Sequence, residues 1–348
     1  MDYTYAISAI STGLNGVLSN DALIKDNTII MISSGVCEAL YTDMLSNSDF
    51  ISNKINIMAD DCSYGLAFAN VVGRLSGLNV SFNDIIIHSK QMAYMIEFHM
   101  IDNSTISNNK LHGQSNGIYG IGVYSSNNIS IVNNSLSVFA GNLSNVNGSH
   151  DVLGIGNSAI AIIKNTNNTL IKDNLIHANS NNPISQINLT EECLIQESRN
   201  YHVLDDDNYH VYFNDDGELR EGMIGQDDVL LLYNLTKIQI LRINQKLTIS
   251  SHNRKIPATV TIEMGKNASG SRIVNISFVS STIQLNGASQ VMIYNNSLSD
   301  TALSINSGKN NQFISNAVTC NATALSPLSI NDARGTDEPT QDDSEIGE

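Results

Sequence analysis

The sequence predicts an all-β protein wound as a parallel β-helix, and three observations predict it. A template of apolar-x-x-Asn-x-apolar recurs along the chain. The segments flanking each Asn alternate apolar and polar residues, the period-2 signature of half-buried strands. No amphipathic helix separates them, so the repeat is built from strands and bends.

The template occurs at Ile24/Asn27/Ile29, Phe50/Asn53/Ile55, Val80/Asn83/Ile85, Ile106/Asn109/Leu111, Ile131/Asn134/Leu136 and Ile171/Asn174/Ile176. After a gap it returns at Ile293/Asn296/Leu298 and Phe313/Asn316/Val318. The asparagines lie 26, 30, 26, 25 and 40 residues apart in the first set and 20 apart in the second. A unit of about 25 residues made of short strands cannot bury its own apolar face, so neighbours must stack. The Leu-x-x-Leu-x-Leu spacing of leucine-rich repeats is absent, and Asn- and Ile-rich segments are poor material for helical repeats. A coil with rungs about 4.8 Å apart remains.

Within a rung, "NNISIVNNSL" (Asn127 to Leu136) reads as strand, sharp bend, strand. Asn133 and Asn134 mark the bend, because Asn tolerates a left-handed backbone best after Gly. The inward Ile, Leu and Val of each rung contribute roughly 1.5–3 kcal/mol apiece when buried. A stacked Asn hydrogen bond contributes about 1 kcal/mol net. The apolar rows therefore keep the coil folded, and the asparagines fix where it turns.

The segments "LNVSFNDI", "STISNNKL", "ISIVNNSL" and "VMIYNNSL" resemble rungs of right-handed parallel β-helices of the pectate-lyase-like type. The resemblance implies a left-handed Asn bend and equivalent asparagines stacked in a ladder. The Asn-, Ser- and Ile-rich texture is similar to that of adhesin-like, Asn/Thr-rich surface proteins of methanogenic archaea. "DDDNYHVYFNDDGELREG" with the strands after it is similar to the segment where such proteins begin a new β-helical module. What this implies is a non-enzymatic, adhesin-like protein, outside the cell or on its surface, binding carbohydrate or a partner surface. The alternative is a polysaccharide lyase or glycoside hydrolase on the same fold.

The rung template divides the chain into a β-helix module over 1–183, a β-rich connecting segment over 184–270, a short second β-helical run over 271–330 and an acidic tail over 331–348. The tail has the composition of a disordered segment. "GNLSNVNGSHDVLG" (Gly141 to Gly154) reads as a protruding loop, and "YFNDDGELREG" as a hairpin or tight turn.

Composition excludes several function classes. Of 348 residues 41% are hydrophobic and 15% charged, with a formal net charge of −16. Such a balance disfavours nucleic acid and anionic membrane surfaces as partners. No apolar run reaches the length of a membrane span, and the first residues lack the basic and apolar regions of a signal peptide. An uncapped β-helix end would favour self-association.

Few residues suggest chemistry. Asp60, Asp61 and His112-Gly113 superficially match parts of the polygalacturonan-hydrolase set, but no Gly precedes His112 and no Arg-Ile-Lys element follows. Two carboxylates that cleave a glycosidic bond must face each other across several ångströms, and adjacent Asp60 and Asp61 on a strand would point to opposite faces. Asp205, Asp206 and Asp207 suit a solvated turn better than a calcium site, since the EF-hand pattern around Gly217 places Tyr212 and Met223 where acidic ligands belong. Cys37 and Cys62 follow their corner asparagines by similar distances and should be neighbours on adjacent rungs, as stacked thiols or a disulfide. Cys320 reads as core. No catalytic, cofactor-binding or metal-ligating residue is assigned, and no cofactor is expected.

Overall fold

The stretch around Asn133 and Asn134 shows how one rung is made. The structure, a computed structural model, describes residues 3–9, 19–43, 45–69, 74–141, 157–180, 182–190, 193–251, 256, 259–320 and 328–330. In it the stretch forms two strands, Asn127–Val132 and Ser135–Ala140, with a φ of 56° at Asn133 between them. The two asparagines share the corner. Asn133 takes the left-handed backbone and stays exposed, while Asn134 turns its amide into the interior.

Stacked, such corners make a buried ladder. Asn27, Asn53, Asn83, Asn109, Asn134 and Asn174 each donate Nδ2–H to Oδ1 of the next, ending at Asn200, over 2.9–3.1 Å. Each Oδ1 also accepts the backbone N–H of the Asn before it, and from Asn53 onward the second amide hydrogen goes to a backbone carbonyl. The interior amides thus have every donor and acceptor occupied, which is why they can be buried.

All strand pairings between the described strands are parallel, and rung follows rung in register, as in Leu111↔Leu136 and Leu136↔Ile176, apart from one shift between Leu285 and Asn286. Successive partners lie one turn apart in sequence, which makes the chain a parallel β-helix, coiled in the right-handed sense that parallel crossovers adopt. A seven-stranded face runs from Tyr3–Ala9 to Ile184–Ile187. An eight-stranded face runs from Leu23–Lys25 to Ile195–Ser198. A twelve-stranded face extends from Thr28–Ser33 to Gln312–Ile314. In the C-terminal part, five- and three-stranded faces replace the first two.

The twelve-stranded face continues through 184–270. Tyr201–Leu204, Val229–Leu232 and Thr248–Ser251 are consecutive members of it, although the Asn template pauses there. The interior does divide: one cluster of buried side chains spans Ile29 to Ala178, and a second spans Leu204 to Leu303. The "YFNDDGELREG" turn closes with an antiparallel bridge between Phe213 and Leu219. Gly217 there has φ of 78°, and a Cβ would sit 2.7 Å from the Ile240 carbonyl oxygen, so only Gly fits.

The template conflates two corners. Asn53 to Asn200 precede strands of the twelve-stranded face, whereas Asn296 and Asn316 follow it and precede Ser297–Ser299 and Ala317–Thr319. In the second half the original column continues through Asp228, Leu247, Ser271, Val291 and Asn311, each immediately before a strand of that face.

Cys37 and Cys62 are neighbours: Cys37 N–H donates to the Cys62 carbonyl over 2.9 Å. Both are free thiols, and they pack in different clusters, Cys37 with the inner core and Cys62 with an outer group containing Val36, Met92 and Tyr94. Burial pushes the Cys62 thiol up to about 12. Cys320, expected in the core, is exposed. One residue past the Ser299↔Thr319 pair it matches Asp300, a corner position outside the inward alternation. Residues 142–154 of the predicted loop and the acidic tail lie outside the described residues.

Candidate functional site

Outward side chains of the twelve-stranded face fall into columns that can be counted from the corner residue. Three residues on lie Ile30, Asn56, Ile86, His112, Ser137 and His177, joined by register pairs such as Ile86↔His112, His112↔Ser137 and Ser137↔His177. Five residues on lie Ile32, Met58, His88, Gln114, Phe139 and Asn179. Asp205 and Tyr233 occupy the equivalent positions on the next two rungs.

The second column, with His112 of the first, lines an open groove of about 1170 Å³, bounded by Ile32 and Met58 at one end and by Asn179 and Asp207 at the other. Adjoining it is a smaller hollow of about 320 Å³ lined by Ser137, His177, Val203 and Tyr233. A row of rings runs from the groove into the hollow. His88 to His112 is 6.0 Å between centroids, His112 to Phe139 6.3 Å, Phe139 to His177 5.0 Å and His177 to Tyr233 6.4 Å. Most meet edge-on, the geometry that ring quadrupoles favour.

The charges sit at the ends. Asp60 is bound to Lys90 over 2.7 Å at one rim. At the other, His177 Nε2 meets Asp205 Oδ2 at 2.8 Å. Burial alone would raise Asp205, but the His177 contact and the backbone N–H groups of Asn208 and Asp207 outweigh it and hold the carboxyl below the usual range. Burial, with His88 and His177 nearby, pushes His112 below the usual imidazole range, which favours its neutral form at pH 7.

The residues singled out from the sequence are placed as follows. His112 stands on the groove floor, with Gly113 turned inward where a Cβ would meet Ile118 at 2.4 Å. Asp60 and Asp61 occupy a bend, not a strand; Asp60 reaches the groove, while the Asp61 carbonyl accepts from Ser89 Oγ. Asp205, Asp206 and Asp207 separate in role. Asp205 pairs with His177, Asp206 accepts the backbone N–H of Thr236 and Lys237, and Asp207 lines the groove. Among the described residues no group of three or more His, Cys, Asp and Glu could hold a metal ion. Counting from the corner Asn would have revealed His88, Phe139 and His177, which motif inspection missed; Tyr233 follows an Asp at the corner and carried no such mark.

A second set of perturbed groups lies on the seven-stranded face. Burial pushes Glu38 up to about 7, and burial with the Glu38 charge pushes Glu97 up to about 7. Tyr64, Tyr94 and Tyr119 stack beside them, with centroids 4.8 and 5.4 Å apart.

No family model matches the chain, and no curated protein matches it. Among solved structures, the crystal structure of endo-xylogalacturonan hydrolase from Aspergillus tubingensis aligns over 85% of this chain and 87% of that one, at 10% identity and a TM-score of 0.21. At that score neither residues nor activity transfer, and the fold rests on the parallel ladders themselves. No helix among the described residues is long and apolar enough to cross a membrane.

Proposed function

We propose that this chain is an adhesin-like β-helix, working at or outside the cell surface, that binds an extended glycan along the outer side of its twelve-stranded face. The ring row from His88 to Tyr233 carries this reading: His88, His112 and Phe139 are set in the groove with Gln114, Asn116 and Asn179, and His177 and Tyr233 in the adjoining hollow. Sugar rings present apolar C–H faces to aromatic rings and hydroxyls to amides, and binding sites combine such apolar walls with a few polar groups.

The placement of the carboxylates supports retention without glycosidic cleavage. Asp60 and Asp207 stand five rungs apart, about 24 Å at the spacing of stacked strands, beyond the roughly 5–9.5 Å that acid–base pairs use. A lyase or glycoside hydrolase is the second reading, favoured only by Glu38 and Glu97, carboxyls raised in the way acid catalysts require.

The test is pull-down of the chain on a polysaccharide panel that includes polygalacturonate, with reducing ends and unsaturated products measured with and without calcium. Binding without chain cleavage is expected. Cleavage of the backbone, or no retention on any member of a broad panel, overturns the proposal.

A further inference from the structure

The geometry points to Ser137, His177 and Asp205 as a nucleophile, base and orienting acid that hydrolyse an acyl ester carried by the bound glycan. For its substrate, though not for its chemistry, this inference rests on the glycan reading.

Ser137 and His177 are direct register partners on adjacent parallel strands, outward on the same face. Their Cβ atoms are therefore about 4.8 Å apart, close enough for a side-chain rotation to bring Oγ onto a ring nitrogen. Both line the hollow of about 320 Å³, walled by Val203 and Tyr233. Ser137 is half-buried and makes no side-chain hydrogen bond to another described residue. Free nucleophile–base pairs are often loose and tighten only on the substrate.

Asp205 decides which ring nitrogen works. Its carboxylate accepts from Nε2 of His177 at 2.8 Å, so the proton of the neutral ring resides there and Nδ1 keeps the lone pair. Oδ1 of Asp205 is itself fixed by the N–H groups of Asp207 and Asn208. On the other flank of Ser137 its register partner is His112, neutral at pH 7 and able to donate a ring N–H to a developing oxyanion.

The step balances with water alone. Ser137 Oγ bonds to the acyl carbon while His177 takes its proton. The bond from that carbon to the sugar oxygen breaks, and the oxygen leaves with the proton. Water then displaces Ser137 by the same route, releasing the carboxylic acid.

The experiment treats the full chain with diisopropyl fluorophosphate, maps adducts by peptide mass spectrometry, and follows p-nitrophenyl acetate hydrolysis against pH. An adduct on Ser137 is expected, absent in Ser137→Ala and slowed at least roughly tenfold in His177→Asn, the order of a lost general base. Asp205→Asn keeps the acceptor for Asp207 and Asn208, so a changed pH profile with unchanged circular dichroism is expected. No adduct on Ser137, or equal labelling in His177→Asn, overturns the inference. Because these probes do not fill the groove, labelled Ser137 with no glycan retention would sink the glycan reading alone.

Discussion

Asn200 gives its backbone N–H to Oδ1 of Asp228 at 2.8 Å, and at that contact the amide ladder ends. The other carboxylate oxygen accepts His202 Nε2 at 3.0 Å and Gly225 N–H at 3.0 Å, with both side chains almost fully buried. An amide can pass the hydrogen-bond pattern to another amide. A carboxylate only accepts, so it stops the pattern and gathers donors. The stop falls where the interior passes from one apolar cluster to the next.

Asp228→Ala would leave two buried donors and one half-buried donor unsatisfied, at about 1–3 kcal/mol each before relaxation. A loss of roughly 3–5 kcal/mol in urea unfolding is expected. A loss under about 1 kcal/mol would show that the junction relaxes around the gap.

Asn109→Ala tests the ladder interior. Asn83 would lose the acceptor for both its backbone N–H and its amide, so roughly 2–4 kcal/mol is expected on the same basis. Asn133→Ala, at an exposed bend with φ of 56°, should cost only about 1–2 kcal/mol, the left-handed penalty.

Phe82 holds φ of 57° while its side chain is 60% exposed. Phe82→Asn should therefore raise stability by about 1 kcal/mol, because Asn accepts this backbone conformation and little packing is lost. A lower melting temperature would mean that the exposed ring has a partner.

Glu38 is 8% exposed, and its Oε2 has no partner among the described residues. Its folded pKa of about 7 lies above the unfolded value. Between these two values the unfolded state binds fewer protons, so stability falls as pH rises toward 7 and levels off above it. Glu38→Gln should flatten that slope and gain on the order of 3 kcal/mol at pH 8, at 1.36 kcal/mol per pKa unit. An unchanged slope would shift the cause to Glu97 or elsewhere.

Phe139 touches His112 and His177 at the middle of the ring row. Phe139→Ala should weaken glycan binding about threefold to tenfold, as expected for the loss of one aromatic contact. Isothermal titration against a retained glycan reads this directly, and unchanged affinity would place the ligand elsewhere.

Much of the fold was legible because a buried corner amide constrains its own position so tightly. Asn27 to Asn174 announced their column through spacing alone. Asp228, Leu247 and Ser271 hold the same column without an amide ladder, so the rungs of 184–270 carried no such mark. Asn296 and Asn316 wore the mark at a different corner. The site was less legible because its contacts join residues 24 to 56 positions apart, and Ser137 and His177 become neighbours only once two rungs are set in register. Asp60 and Asp61 looked like a pair on one strand, and the bend that carries them sends only Asp60 to the groove.

The parallel ladder also makes the molecule a ruler. Asn109 to Asn134 spans 25 residues and Asn134 to Asn174 spans 40, yet both intervals close with the same 2.9–3.0 Å amide contact. The divisions are cut by the peptide hydrogen bond, not by the length of chain between them. Insertions can lengthen a turn without moving the marks, and any ligand that reads successive rungs must match a pitch that such changes leave untouched.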